Sequence, residues 1–351
     1  MLKGNIRDHN VSIDDIIMIL RKTICHPLSV WVFAIILLAN GRNYNDSVTL
    51  RLSLIYGGII DLIYLLNYAN DHFERIRSPP WKLDPLIDVA VVTGGCSGLG
   101  KYISAILAVN SDIKVAVLDI DEPKLTIPNV TYFLCDISDF TSVEESLNKV
   151  KTSIGMPTIL INNAGITHSE FIEDLPESKI RRIFDVNVLS HFWTTRALLP
   201  GMKELNRGYI VTIASVLGYI APARLTAYAA TKAANIAFHE SVTYELETYK
   251  KGTTTLGIKT LLVTPGQIDT PMFENVSTPS EFFAPMVRPE ELAHKIVQAI
   301  IEGKTGAIRA PFYTNFIPLM AVLPKTLVSF LRRLAKVDRS IKDDSKLVDE
   351  I

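Results

Sequence analysis

Tyr228 and Lys232 stand four residues apart in the run Tyr228-Ala229-Ala230-Thr231-Lys232, and Ser215 lies thirteen residues before the tyrosine. On a helix, positions i and i+4 share a face, so this spacing brings an ammonium up to a phenol. A free phenol has a pKa of about 10 and is a poor acid or base at neutral pH, whereas a neighbouring cation favours its ionised form. The pair could therefore move a proton. By itself the pattern also fits an ordinary surface helix, so its meaning depends on the elements around it.

The first of those elements is the run Ile87-Asp88-Val89-Ala90-Val91-Val92, which opens into Thr93-Gly94-Gly95-Cys96-Ser97-Gly98-Leu99-Gly100. A nearly continuous β-branched run reads as a strand buried on both faces of a parallel sheet. Lys101 to Val109, with Ile103, Ile106 and Leu107 at helical spacing, reads as the helix that follows. A strand, a glycine turn and a helix start converge unpaired N–H groups and a helix dipole on one point, where a diphosphate binds. Gly94 permits the turn, Gly98 lets the anion approach the backbone, and Gly100 allows helix and strand to pack closely. A second strand, Ile113 to Leu118, ends at Asp119, nineteen residues after Gly100. A carboxylate at that place accepts hydrogen bonds from the adenosine ribose and repels a 2′-phosphate. Neither Ser97 nor Ile120 offsets that charge, so NAD is favoured over NADP. A third strand, Val130 to Cys135, ends at Asp136, placed to meet the adenine amine. Pro123 and Pro128 lie between the second and third strands, so the usual helix there is expected to be short or missing.

These motifs make the chain similar to the short-chain dehydrogenase/reductase family of the Tyr-x-x-x-Lys type. A fourth strand, Thr158 to Ile161, leads into Asn162-Asn163-Ala164-Gly165. Asn187 follows in Phe184-Asp185-Val186-Asn187-Val188, a fifth strand from Tyr209 to Ile213 delivers Ser215, and Lys259 to Val263 precedes Pro265-Gly266-Gln267-Ile268-Asp269-Thr270. The resemblance covers roughly residues 87–310. It implies an α/β doubly wound parallel-sheet Rossmann fold and a nicotinamide dinucleotide held by Gly94, Ser97, Gly98, Leu99, Gly100, Asp119, Asp136, Asn163, Tyr228, Lys232, Ile268 and Thr270. It implies a catalytic group of Asn187, Ser215, Tyr228 and Lys232. Tyr228 would exchange a proton with the substrate oxygen, Lys232 would lower the tyrosine pKa, Ser215 would bind and polarise that oxygen, and Asn187 would support a water relay. Thr270 and the backbone at Ile268 would fix the carboxamide. Pairing through the helices bearing Asn187 and Tyr228, as a homodimer or homotetramer, is also implied.

Composition limits the other possibilities. The net charge is −1 and no basic cluster interleaves with aromatics inside the catalytic segment, so nucleic acid is not indicated. Cys25, Cys96 and Cys135 are scattered, and neither a disulfide framework nor a metal site follows.

The expected organisation is an apolar amino-terminal extension over residues 1–83, one catalytic domain over 84–310 and a basic-apolar tail over 311–351. Pro27 to Ala39 is apolar apart from Ser29, and Leu50 to Tyr68 is a second run broken by Arg51, Gly57-Gly58 and Asp61. The first is short of the roughly 20 residues that a helical crossing needs. A membrane hairpin with both ends in the cytosol fits the basic residues outside the runs, such as Lys3, Arg7, Arg75 and Arg77; two core helices of a soluble extension are the alternative. In the tail, Lys325 to Lys342 holds six basic residues against Asp338 alone, with Leu327, Phe330, Leu331 and Leu334 at helical spacing. Such a helix suits a membrane interface or a dimer contact.

Within the family, Phe184 to Thr195 with Ala197-Leu198-Leu199-Pro200 most resembles the membrane- and lipid-droplet-associated retinol and 17β-hydroxysteroid dehydrogenases. That implies a lipophilic alcohol or ketone as substrate, a cytosol-facing catalytic domain on the endoplasmic reticulum or a lipid droplet, and an apolar lid from Pro271 to Arg288. A catalytically silent nucleotide-binding membrane scaffold on the same fold is the competing function.

Overall fold

The structure is a computed structural model that describes residues 11–27, 29–42, 47–77, 81–123, 125–251, 254–255, 257–273, 280–335 and 337–339. It divides into two units, Met1–Arg77 and Ser78–Ile351.

The first unit holds helices α1 (Ile13–Lys22), α2 (Val30–Ala39) and α3 (Val48–Arg77). A capping box starts α1: Asp15 N donates to Ser12 Oγ, and Ser12 N donates to the Asp15 carboxylate at 2.9 Å. The breaks in the second apolar run are contacts with α2. A Cβ at Gly57 would lie 3.1 Å from the Trp31 ring, and Asp61 accepts the Trp31 indole N–H at 2.9 Å. Among the described residues, one stretch, Val48–Asn70, is long and apolar enough to cross a membrane, and its most apolar window is only 11% buried. A core helix would bury far more of it. The α2 helix has ten residues, about 15 Å at 1.5 Å per residue, half a hydrocarbon core. Lys3 and Arg7 lie outside the described residues.

The second unit is built on a seven-stranded parallel sheet in the order β3-β2-β1-β4-β5-β8-β9. Its strands are β1 (Val89–Thr93), β2 (Lys114–Asp119), β3 (Val130–Leu134), β4 (Ile159–Asn162), β5 (Gly208–Ile213), β8 (Ile258–Pro265) and β9 (Gly306–Ala310); β6 (Lys250–Lys251) and β7 (Thr254–Thr255) pair separately. The helices are α4 (Gly98–Asn110), α5 (Phe140–Ser153), α6 (Glu177–Phe184), α7 (Ser190–Leu205), α8 (Thr226–Thr248), α9 (Pro289–Glu302) and α10 (Lys325–Leu334).

The unbroken apolar strands are explained by helices on both faces. Ala90 and Val92 pack with Ile103 and Leu107 of α4 and with Ile296 and Ile300 of α9. Val91, one residue out of phase, packs with Leu147 of α5 and with Leu198 and Met202 of α7. Between β2 and β3 the described residues contain no helix, as the two prolines foretell, and β3 is accordingly the half-exposed edge. β9, at the other edge, has no sequence signature: Gly-Ala-Ile-Arg-Ala is too short and too mixed to announce a strand.

The expected division at residue 83 falls inside the packing of the second unit. Trp81 Nε1 donates to Ile300 O at 2.7 Å, its ring meets Tyr209 at 5.4 Å, and the Arg207 guanidinium lies over it at 4.5 Å. Arg207 also donates to the buried Asp88 carboxylate at 2.7 Å, and the Thr158 hydroxyl donates to the same carboxylate. The segment before β1 is thus an integral part of this unit. Residues 311–335 and 337–339 also belong to it, while Lys336 and 340–351 lie outside the described residues.

Between α7 and α8 two histidines are buried as neutral rings. Burial pushes His191 down to about 3, assisted by Lys232 and His239, and pushes His239 down to about 4. An unfolded histidine titrates near 6.5, so below that pH the unfolded chain binds more protons and stability falls with pH until the folded values are reached. We expect acid unfolding to begin below pH 6.5 with a slope of about 1.4 kcal/mol per pH unit for each of these protons. His191→Leu should flatten it by one proton, as read from denaturant midpoints against pH; an unchanged slope would show that His191 is already charged in the fold.

Candidate active site

β1 and β4 are neighbours whose connections leave in opposite directions, so a crevice opens beyond their carboxyl ends. The glycine turn occupies one wall. Gly94 and Gly98 have φ of 66° and 48°, values that side chains disfavour. A Cβ at Gly100 would lie 2.2 Å from Gly94 O, so only glycine lets α4 start this close to the strand. A Cβ at Gly98 would project into the crevice, 3.4 Å from Thr270 Cγ2. The N-cap of α4, Ser97, makes no side-chain capping bond, leaving its hydroxyl and the first helical N–H groups to an anion.

Asn163 locks the turn in place. Its Nδ2 donates to Thr93 O and Gly94 O at 2.9 and 3.1 Å, while the Thr93 hydroxyl accepts Asn163 N and Ala164 N at 2.9 and 3.0 Å. Asp119 lies at the end of β2, with one oxygen accepting Cys96 N at 2.8 Å and the other Asp121 N at 3.2 Å. A carboxylate has about four lone-pair sites, so it keeps acceptor capacity beyond these two bonds.

Asp136 is more committed than the sequence suggests. It accepts Ser138 N at 3.0 Å, the Ser138 hydroxyl at 2.7 Å and Arg182 Nη1 at 3.0 Å. Burial works against its ionisation, but the bonds from Arg182 and Ser138 prevail and hold the carboxyl below the usual range. Nothing in sequence spacing joins Arg182 to Asp136; only the fold brings α6 over the end of β3.

On the opposite wall Ser215, Tyr228 and Lys232 come together, each about 5% exposed or less. Leu217 N donates to Ser215 Oγ at 3.1 Å, and Lys232 Nζ donates to Ile213 O at 3.0 Å, 5.6 Å from the Tyr228 ring centre. The electrostatics differ from the simple expectation of a lysine-lowered phenol. Burial pushes Tyr228 above its usual range, and the Ser215 hydrogen bond only partly opposes it. The same burial brings Lys232 down to about 8. In a dry site desolvation dominates both groups.

Asn187 lies in a π-turn, Asp185–Leu189, between α6 and α7. Its Oδ1 accepts Ile166 N at 2.8 Å, and Nδ2 donates to Ile166 O and Thr231 Oγ1 at 2.9 and 3.0 Å. Both amide protons are thereby used, which makes Asn187 a brace between the loop after β4 and the Tyr/Lys helix. One lone pair on Oδ1 remains for water. Periodicity could not have revealed the extra residue of the π-turn. His168 was missed as well: its Nε2 accepts Ala227 N at 3.1 Å, capping the start of the helix that carries Tyr228.

Gly94, Ser97, Gly98, Leu99, Asp119, Asp136, Asn163, Ser215, Tyr228, Lys232, Ile268 and Thr270 all line one cavity of about 320 Å³. Gly100 and Asn187 stand behind it. The cavity therefore joins the glycine turn and the Asp119 carboxylate to a buried phenol, and its chemistry fits a nicotinamide dinucleotide. Phe273 closes its far end, edge-on to Tyr228 at 6.0 Å. Met272, Phe282 and Phe283 of the expected lid are exposed, and residues 274–279 lie outside the described residues.

The sequence profile of the family described as short chain dehydrogenase matches residues 88–281. The chain is 33% identical over 305 residues to Uncharacterized oxidoreductase TDA5 of Saccharomyces cerevisiae, covering 86% of this chain and 91% of that one. It is 32% identical over 261 residues to human 17-beta-hydroxysteroid dehydrogenase 13, covering 71% and 84%. Among solved structures, the 3-ketoacyl-(acyl-carrier-protein) reductase of Brucella melitensis, complexed with NADH, superposes with a TM-score of 0.54 at 23% identity, over 64% of this chain and 96% of that one.

Gly98→Ala places a methyl in the cradle at a positive φ. We expect NADH affinity, read by fluorescence titration, to fall by about tenfold or more, while stability changes by only about 1 kcal/mol. Unaltered affinity would place the diphosphate elsewhere.

Proposed function

Since the chain belongs to the short-chain dehydrogenase/reductase family and is an oxidoreductase, we propose that it interconverts a lipophilic alcohol and its ketone or aldehyde. Tyr228 is the proton donor and acceptor in this reading. The observation that carries it is the single cavity in which the glycine turn and Asp119 face Ser215, Tyr228 and Lys232. The nicotinamide supplies the hydride when bound. Asp119 favours NAD over NADP, since it presents a negative charge where a 2′-phosphate would sit.

The proton is this chain's to manage. Because burial raises the Tyr228 pKa, the phenol is protonated at neutral pH and is ready to donate to an oxygen that gains charge. Ser215 holds that oxygen beside it. Lys232, charged below about 8, adds a positive field that stabilises the phenolate left behind. Reduction of a carbonyl is therefore the direction for which these groups are set.

The lipophilic class is supported by Phe273 and Met272 at the cavity end and by a relative named for a hydroxysteroid. The exposed apolar surface of Val48–Asn70 supports attachment to a membrane; the endoplasmic reticulum or a lipid droplet, with the catalytic unit in the cytosol, is the residence that the family resemblance adds to this reading. Phe192 on α7, 46% exposed, gives the proposed homodimer or homotetramer an apolar contact. The silent-scaffold alternative leaves the convergence of Tyr228, Lys232 and Ser215 without a purpose.

Tyr228→Phe should abolish turnover with NADH binding retained; near wild-type rates over a panel of sterols, retinoids and long-chain ketones would remove Tyr228 from the mechanism. For the wild type, kcat/KM for carbonyl reduction at saturating NADH should fall as pH rises through about 8, where Lys232 loses its proton. Lys232→Met should be slow and lack that limb.

A further inference from the structure

Tyr228 is the third residue of α8, so its phenol is carried by a first turn, where N–H groups have no partner within the helix. The neighbouring residues do little to fix that turn. The N-cap is Leu225, which makes no side-chain capping bond, and Arg224 before it has a φ of 66°. A serine, threonine, asparagine or aspartate at the cap would ordinarily accept one of those N–H groups. Here the acceptor comes from 59 residues earlier: His168 Nε2 accepts Ala227 N at 3.1 Å, one residue before the tyrosine. On the other side of the loop, Arg332 Nη2 donates to Ala221 O at 2.8 Å and Asp338 accepts Ala223 N at 3.1 Å. Those bonds end at residue 223, so the turn at Ala227 rests on the histidine.

The ring is itself held. Ala227 N is a donor, so Nε2 is the bare nitrogen and the proton of the neutral ring sits on Nδ1. Nδ1 lies 3.6 Å from Glu170 Oε2. Glu170 Oε2 also accepts Ser169 N at 3.0 Å, and Oε1 pairs with Lys179 of α6. The segment that carries His168 is tied to Asn187 through Ile166, and Arg224 donates to Ser169 O at 3.4 Å while its guanidinium covers the Phe171 ring at 4.0 Å. The charged groups around His168 are therefore Glu170 on its own segment, Lys179 on α6 and Arg224 on the loop before α8, with the positive end of α8 ahead of Nε2. Burial is the strongest influence and holds the ring below its usual range; Glu170 opposes it and Lys179 adds to it.

We propose that His168 is a positioning residue for Tyr228: its neutral ring fixes the first turn of α8 by accepting the Ala227 N–H, and a proton on Nε2 breaks that bond and releases the phenol from its place beside Ser215. A doubly protonated ring has donors on both nitrogens. It would face the Ala227 donor with another donor, and the positive helix end with a like charge. The turn is therefore held at neutral pH and released as pH falls below the usual histidine range, near 6.5. A misplacement of about 1 Å at a reacting group costs on the order of 10²-fold in rate, so a loosened turn is felt in kcat before it is felt in NADH affinity. The inference rests on the reading of Tyr228 as proton donor and adds the group that holds it in register.

The test uses the full chain in detergent, labelled with 3-fluorotyrosine, and follows Tyr228 by fluorine NMR, so no turnover is required. The chain has 12 tyrosines, and the Tyr228 line is the one lost in Tyr228→Phe. At neutral pH His168→Leu should shift or broaden that line. His168→Gln, whose Oε1 can accept Ala227 N and cannot titrate, should keep it. As pH falls below about 6.5, over the range in which circular dichroism shows the fold intact, the wild-type line should move reversibly toward the His168→Leu position while the His168→Gln line stays. Glu170→Gln removes the charge that favours the protonated ring and should move the transition to lower pH. With any ketone that the wild type reduces, His168→Leu should lower kcat by about tenfold or more at unchanged NADH affinity, and His168→Gln should restore it. A Tyr228 line unaltered in His168→Leu would overturn the proposal, as would a His168→Gln line that still moves with acid. Should His168→Leu not fold, wild type against His168→Gln across pH decides alone. A chain that reduces no ketone would count against the enzymatic reading, while the fluorine line still judges His168.

Discussion

The active-site crevice depends on the exchange of hydrogen bonds between Thr93 and Asn163. Those two side chains join the carboxyl ends of β1 and β4, the place where the sheet's connections diverge and no helix can cover the gap. The Asn163 amide satisfies two successive carbonyls of a turn that has left the strand ladder, and the Thr93 hydroxyl satisfies two amides of the opposing chain. Buried peptide groups left unpaired there would each cost about 1–3 kcal/mol. The lock therefore lets the backbone leave the sheet on both sides without that penalty, and the space between is the cavity. Asn163 touches the cavity, yet its amide is spent on holding the cavity open.

Burial is the second constraint, and it acts in one sense on four titratable groups around the Tyr228 helix. His191, His239 and Lys232 are all pushed toward their neutral forms, and Tyr228 is kept protonated. A lysine brought to about 8 costs stability at neutral pH, because the unfolded chain would keep its proton far more firmly. Its folded pKa lies below its unfolded value, so stability rises as pH climbs from about 8 toward the unfolded value near 10.4. The proposed pH dependence of reduction runs the opposite way. Fold and chemistry thus ask different things of one ammonium, as is common where groups are desolvated for function.

Legibility in the sequence followed the range of the interaction. β1, β2, β4, β5 and the glycine turn could be read because each is set by its own residues: continuous β-branched runs and glycines at positive φ. The missing helix between β2 and β3 was legible from Pro123 and Pro128. By contrast, the Asp136–Arg182 pair joins residues 46 apart, and the His168 cap on Ala227 joins residues 59 apart. No local pattern encodes either. The π-turn at Asn187 was hidden for another reason: it adds one residue to a helix whose apolar positions look regular on both sides. The sign of the Tyr228 shift was hidden as well, since spacing reports the neighbour but not the depth of burial. Trp81 was assigned to the amino-terminal extension because its partners, Tyr209 and Ile300, are more than a hundred residues away.

The link between Ser215 and Tyr228 shows why a correct motif does not by itself make a correct site. Ser215 lies two residues beyond β5 and Tyr228 in the first turn of α8, and most of the chain between them is irregular, with Arg224 at a φ of 66°. Such a segment has no hydrogen-bond ladder of its own to fix the distance between two hydroxyls, and fixing each residue costs roughly 1–2 kcal/mol of backbone entropy. The molecule supplies the missing order from outside, with His168, Ser169 and Phe171 on one side and Arg332 and Asp338 on the other. The first clasp comes from the loop that Asn187 braces, so Asn187 acts on the tyrosine helix through Ile166 and Thr231 and, farther along the same loop, through His168. The second comes from a helix whose other face is apolar and open. The spacing of Ser215 and Tyr228 is therefore held by one clasp inside the Rossmann core and by one at the molecular surface.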